Sequence, residues 1–162
     1  RADIGFTGTV LDKKDCVYLP FYEDELVLVL PDTEEYREKL KEQEGLSWIC
    51  SENLILREEG SGTRQEAEKK LAKLGFEKED VKIQASVENT ETIKRLVSSG
   101  MGISILSKLA VEDKIKSGEV LCVPMDGEGG KRNINLVYNK KFQLSKPVQH
   151  LIETVQAVYG GF

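Results

Sequence analysis

Histidine, cysteine and proline are scarce in this 162-residue sequence, with one His, three Cys and four Pro. A single imidazole, His150, excludes most zinc sites and leaves any Ser-His-Asp triad dependent on one residue in a helix-like stretch. Cys16, Cys50 and Cys122 are odd in number, far apart, and each lies in or beside an apolar run. Neither a disulfide framework nor a CxxC metal site is expected; the pattern reads as buried thiols in a reducing cytosol. No apolar run approaches the roughly 20 residues that a membrane-spanning helix needs, so no membrane partner is expected. Positive charge is not in excess: 23 Lys+Arg against 28 Asp+Glu give a net charge of −5. Lys13, Lys14, Lys131, Lys140 and Lys141 are scattered over different elements, which excludes the basic footprint that direct nucleic-acid binding by this segment requires. The chain opens without Met or a leader-like run and enters a strand-like stretch at once, which predicts a piece of a longer polypeptide.

What is present is the composition of a globular domain, 40% hydrophobic and 31% charged, with apolar runs spread from end to end. Strand-like runs fall at 3–7, 17–19, 25–30, 54–56, 81–87, 103–106, 120–123 and 134–138. Helix-like runs separate most of them. The clearest follows Gly62, where Thr63-Arg64-Gln65-Glu66 reads as a capping box, Ala67, Leu71 and Leu74 share one face, Glu66 pairs with Lys70, and Gly75 ends the helix. A second helix is capped by Asn89, turns Ile93, Leu96 and Val97 inward and stops at Gly100. A third spans 107–118. A fourth has Pro147 in its first turn, buries Val148, Leu151, Ile152, Val155 and Val158, and ends at Gly160-Gly161. The polar stretch 32–44, anchored only by Tyr36 and Leu40, predicts a weak surface helix, and 126–130 a glycine-rich turn. Lone Trp48 reads as packing rather than as a stacking platform. Strands alternating with such helices predict an α/β fold with a mostly parallel sheet, whose ligands bind beyond the carboxyl ends of strands. That rule selects the loops after Leu56 and after Val87.

The first of these loops, Arg57-Glu58-Glu59-Gly60-Ser61-Gly62-Thr63-Arg64, is a strand exit, a Gly-Ser-Gly turn and a helix start. Its chemistry suits an anion: glycines allow close backbone approach, unpaired N–H groups point outward, Ser61 and Thr63 add hydroxyls, and Arg64 adds a guanidinium. A plain capped helix accounts for the same residues equally well. The run is neither a phosphate loop, since no Gly-Lys-Ser/Thr follows, nor a Gly-x-Gly-x-x-Gly or Gly-x-Ser-x-Gly motif. Glu58 and Glu59 are adjacent and point apart, so they do not make an acid/base pair.

Arg1-Ala2-Asp3-Ile4-Gly5-Phe6, Pro20-Phe21-Tyr22-Glu23-Asp24-Glu25-Leu26-Val27-Leu28-Val29-Leu30-Pro31, Arg57 to Arg64, and Asn89-Thr90-Glu91-Thr92-Ile93-Lys94 with the run from Val97 to Ile103 follow one another in this order. Together they resemble the effector-binding domain of LysR-type bacterial transcriptional regulators over essentially the whole chain. The resemblance implies an α/β fold like type II periplasmic binding proteins, with two Rossmann-like subdomains and the first part of subdomain I missing. It divides the chain into 1–24 with 132–162 (subdomain I) and 25–131 (subdomain II). It also implies a small-molecule co-inducer held in an inter-subdomain cleft, and the chemistry of the first loop makes an anion the expected one. By position, Thr7 matches the cleft side of subdomain I; Gly60, Ser61, Gly62, Thr63 and Arg64 match that of subdomain II; and Asn89 and Thr90 match a helix start turned toward the cleft.

No cofactor, metal or catalytic residue is implied. DNA would be bound only through a separate N-terminal helix-turn-helix, in a cytoplasmic homodimer or homotetramer. Two other classes remain open: a solute-binding protein of a transporter, and an enzyme on a similar fold. The latter needs a nucleophile or acid/base pair that neither loop supplies.

Overall fold

The computed structural model describes residues 3–10, 13–42, 45–125 and 131–159; the turn expected at 126–130 and the stop at Gly160-Gly161 lie outside them. The chain divides into two compact units, Arg1–Asp24 with Lys131–Phe162, and Glu25–Gly130. In chain order the elements are β1 (Ile4–Thr7), β2 (Cys16–Pro31), α1 (Glu34–Glu42), β3 (Asn53–Arg57), α2 (Gly62–Lys73), β4 (Lys82–Val87), α3 (Thr90–Ser98), β5 (Ser104–Ser107), α4 (Glu112–Lys116), β6 (Val120–Pro124), β7 (Lys131–Asn139) and α5 (Lys146–Tyr159).

The second unit is organised by period-2 alternation in its strands. Leu26, Leu28, Leu30, Leu54, Leu56, Ile103 and Ile105 pack on one side with Ala67 and Leu71 of α2. Val27, Val29, Ile55 and Leu106 pack on the other with Ile93 and Val97 of α3. The two crossover helices therefore cover opposite faces, as right-handed connections require when the chain steps outward from β3 to β4 and then back across β3 to Ile103. Trp48 and Tyr36 are buried in the first cluster, their rings 6.2 Å apart; Trp48 is core, as its isolation predicted.

Three expectations are corrected here. The sheet is not mostly parallel. Among the described residues β3 with β4 and the Leu54–Ile103 bridge are parallel, whereas β2 runs antiparallel to both β5 and β6, and β1 to β7. The runs at 17–19 and 25–30 are one 16-residue strand. Pro20 and the acidic pair before Glu25 resemble a break, but the buried Asp24 carboxylate receives Arg132 Nε and Nη2 at 3.0 and 2.8 Å, so a charge sits inside the strand without interrupting it. The run 107–118 divides into a 3-10 turn, Leu109–Val111, and the short α4, because Val111 is drawn fully into the core with non-helical backbone.

In the first unit, β7 joins β1 and the N-terminal half of β2. Of the five apolar residues expected to be buried along α5 only Ile152 is, while Leu151 and Val158 are 41% and 65% exposed. At the end of the helix Tyr159 stands edge-on to Phe21, with ring centroids 5.8 Å apart.

Gly102 is required by closeness rather than by backbone angle. A Cβ there would stand 2.5 Å from the Asn53 carbonyl oxygen, the same oxygen that accepts the Ile103 N–H at 2.9 Å. Gly102→Ala is expected to lower the unfolding free energy by about 2 kcal/mol in a urea titration; an unchanged midpoint would show that β3 and Ile103 are not held this tightly.

Candidate ligand-binding site

β3 and β4 are parallel, with Arg57 opposite Val87. Both strands therefore leave the sheet at the same edge, where α2 and α3 begin, and both loops selected by the sequence lie at that edge. In α2 the first intrahelical bond is Gln65 N–H to Ser61 O at 3.0 Å, so the N–H groups of Gly62, Thr63 and Arg64 lie ahead of the helical ladder. In α3 the Asn89 side chain accepts from Thr92 N–H at 3.1 Å, as its capping role predicts. The N–H groups of Thr90 and Glu91 precede the first backbone bond, from Ile93 to Asn89. Two positive helix ends thus share one strand edge.

The capping box expected on Thr63 and Glu66 does not form. Gly60, at φ +90°, turns the chain so that Ser61 takes the cap position with extended backbone and without a side-chain cap bond. Thr63 is already the second helical residue, and Glu66 pairs instead with Lys69 at 2.7 Å. The Ser61 hydroxyl is therefore not spent on closing the helix.

The two arginines of the motif have opposite fates. Arg64 is only 4% exposed; its Nε donates to Glu68 at 2.5 Å and its Nη1 to the Arg57 carbonyl at 2.9 Å. It fastens α2 to the end of β3, and its guanidinium is turned away from solvent. The side chain of Arg57, absent from the sequence-based set, lies at the edge itself. Its Nε and Nη2 donate to both carboxylate oxygens of Glu58 at 2.8 and 2.9 Å, and Nη1 donates to the Thr90 hydroxyl at 3.2 Å. Arg57 thereby joins the loop after β3 to the start of α3. The hydrogen bond from its guanidinium holds the Glu58 carboxyl below its ordinary range. Glu59 is not part of this group: it is exposed, 3.9 Å from Lys78.

The remaining candidates are placed as follows. Gly60, Ser61, Gly62, Thr63, Asn89 and Thr90 come together at this edge, whereas Thr7 belongs to the other unit. Its hydroxyl donates to Thr9 O and accepts Thr9 N–H at 3.0 and 3.1 Å, closing a local turn. His150 is exposed. The thiols are not all buried as expected: Cys50 is exposed and bonds Ser47 O, while Cys16 and Cys122 are half-buried. Burial pushes the Cys122 thiol up to about 11, which keeps it protonated and unreactive at neutral pH. Among the described residues no group of three or more His, Cys, Asp or Glu is arranged to hold a metal ion, and no helix is long and apolar enough to cross a membrane.

The model of the LysR substrate binding domain matches residues 1–160. This chain belongs to that family. Among curated relatives, the LysR-type domain is 29% identical over 155 residues to the phosphonates import ATP-binding protein PhnC of Anaeromyxobacter dehalogenans, covering 96% of the chain and 30% of that protein. It is 27% identical over 132 residues to a probable RuBisCO transcriptional regulator of Trichormus variabilis, covering 81% and 38%. The chain thus spans about a third of the length of these relatives. Its fold matches the Synechocystis CcmR regulatory domain in complex with 2-PG, with a TM-score of 0.81 at 24% identity over 99% of this chain and 74% of that one. It also matches the effector binding domain of QuiR in complex with shikimate, with a TM-score of 0.79 at 21% identity over 98% and 72%.

Because Arg64 is buried and fastens the helix, Arg64→Ala is expected to cost about 2 kcal/mol of stability by leaving the Arg57 carbonyl without a charged donor. Chemical denaturation measures this. A variant as stable as the parent would mean that the guanidinium is held for another reason.

Proposed function

We propose that this LysR-type domain is the ligand-sensing part of a transcriptional regulator and that it takes a small anion at the carboxyl edge of β3 and β4. The observation that carries the reading is the convergence at that edge of the α2 and α3 N-termini with the Arg57 guanidinium and the Ser61 and Thr90 hydroxyls. A carboxylate or oxyanion has backbone donors, hydroxyls and a counter-charge within one small area. Nothing there supplies a nucleophile with an adjacent base, so the reading is of a sensor and not an enzyme; a sensor needs only different affinities in two states. Arg57, Gly60, Ser61, Gly62, Thr63, Asn89 and Thr90 make up the site proposed here, and Arg64 supports it from within.

Fold relatives that hold 2-PG and shikimate support a small-molecule effector. In this reading the unit Glu25–Gly130 is the second subdomain of the family and Arg1–Asp24 with Lys131–Phe162 belongs to the first. DNA is contacted by a separate helix-turn-helix domain of the regulator, in keeping with the net charge of −5 carried here. The likeness to an ATP-binding import protein does not favour nucleotide binding, since the sequence has no Gly-Lys-Ser/Thr loop.

Isothermal titration of the chain with a panel of small carboxylates and with phosphate, at constant ionic strength, tests the reading. At least one is expected to bind, and Thr90→Val is expected to weaken it about tenfold, the loss of one hydrogen bond to a charged group. Absence of binding across the panel, or binding indifferent to Thr90, contradicts it.

A further inference from the structure

Arg57 and Glu58 are sequence neighbours, yet they form the fork-to-fork arrangement with which proteins recognise free carboxylates: two parallel bonds, Nε to Oε2 and Nη2 to Oε1, at 2.8 and 2.9 Å. The pair closes no loop and joins no two elements. What ties the edge together is the other end of the same guanidinium, through Nη1 to Thr90, and the Arg57 carbonyl, which accepts from both Arg64 and Ser86. The ion pair is also within reach of solvent, with side chains 23% and 33% exposed, whereas the Arg64 guanidinium is 4% exposed. Of the two arginines in the motif, only Arg57 is open to exchange its partner.

We propose that Glu58 is an internal competitor whose carboxylate occupies the Arg57 guanidinium until a ligand carboxylate or oxyanion replaces it, which makes Arg57 the specificity-determining residue of the site. This rests on the reading of that edge as the ligand site. The exchange keeps one anion on one guanidinium, so a charged, fork-shaped ligand group replaces Glu58 at little electrostatic cost. A neutral ligand leaves Arg57 with Glu58 and gains nothing from it. Thr90 holds the guanidinium from its other side during the exchange, so its position does not depend on which carboxylate is bound. The competition lowers affinity for every anion by the strength of the Arg57–Glu58 pair, and so sets a concentration threshold for the sensor.

Nuclear magnetic resonance titrations of the chain with phosphate, acetate and succinate test this, read at the Arg57 side-chain N–H and at the backbone amides of Gly62 and Thr90. Glu58→Gln is expected to tighten anion binding about two- to fivefold, the range set by partly exposed ion pairs. Glu59→Gln makes the same charge change away from Arg57 and is expected to titrate like the parent. Arg57→Gln and the conservative Arg57→Lys are both expected to weaken binding, the lysine variant less, with their spectra reporting an intact fold. If Glu58→Gln binds as the parent does, or if both Arg57 variants do, the competitor is ruled out while the site stands. If neither Gly62 nor Thr90 responds to any anion in any variant, the site reading fails and the competitor with it.

Discussion

The parallel register of β3 and β4 is the constraint on which the candidate site depends. With Arg57 opposite Val87, the two strands end level, and each is followed within five residues by a helix start. The pairing shifts by one residue between Leu54 and Ile55, and beyond that shift Ile55, Leu56 and Arg57 stand opposite Ala85, Ser86 and Val87, with Leu54 and Leu56 packed in one core cluster and Ile55 in the other; it is this last stretch of the ladder that aligns the two helix ends. The bonds of Ile103 to Asn53 and Ile55 on the far side of β3 fix the strand from its other edge, and Gly102 is the residue that lets them come close enough.

In the proposed reading an acidic domain receives an anion, so it matters which of its 23 Lys and Arg side chains are left to meet one. Most of the well-placed ones are committed to structure. Arg64 joins α2 to β3, Lys94 is buried between Glu91 and Asp113 at 2.8 and 2.7 Å, and Arg132 compensates Asp24 inside β2. Arg57 differs because its partner is the next residue along the chain. The groups at the edge that can meet an anion are that guanidinium, once parted from Glu58, and two helix ends, which are fixed by the backbone and do not alter the net charge.

Much of this was legible in the sequence where local chemistry decides the outcome. The Asn89 cap, the Gly60–Gly62 turn and the placing of both loops at strand ends follow from residue types whose conformational preferences are strong. What the sequence concealed were outcomes set by distant partners. Thr63 has the side chain of a cap, but the turn at Gly60 hands that position to Ser61. Pro20 and Asp24 resemble a strand break until Arg132, more than a hundred positions away, supplies the counter-charge. Arg57 and Arg64 are chemically identical in the motif; only the start of α2 at Gly62 decides that Arg64 folds back onto β3 and Arg57 stays at the edge. The apolar stripe of α5 has the correct period, but periodicity does not report how much surface the sheet offers it.

Amide hydrogen exchange, measured residue by residue with and without a saturating small carboxylate, tests most directly whether the paired helix ends at this edge hold the ligand. The account predicts slowed exchange at Gly62, Thr63 and Arg64 together with Thr90 and Glu91, and unchanged exchange at the starts of α1 and α5. Equal slowing at all helix starts, or slowing confined to residues away from the edge, would contradict it.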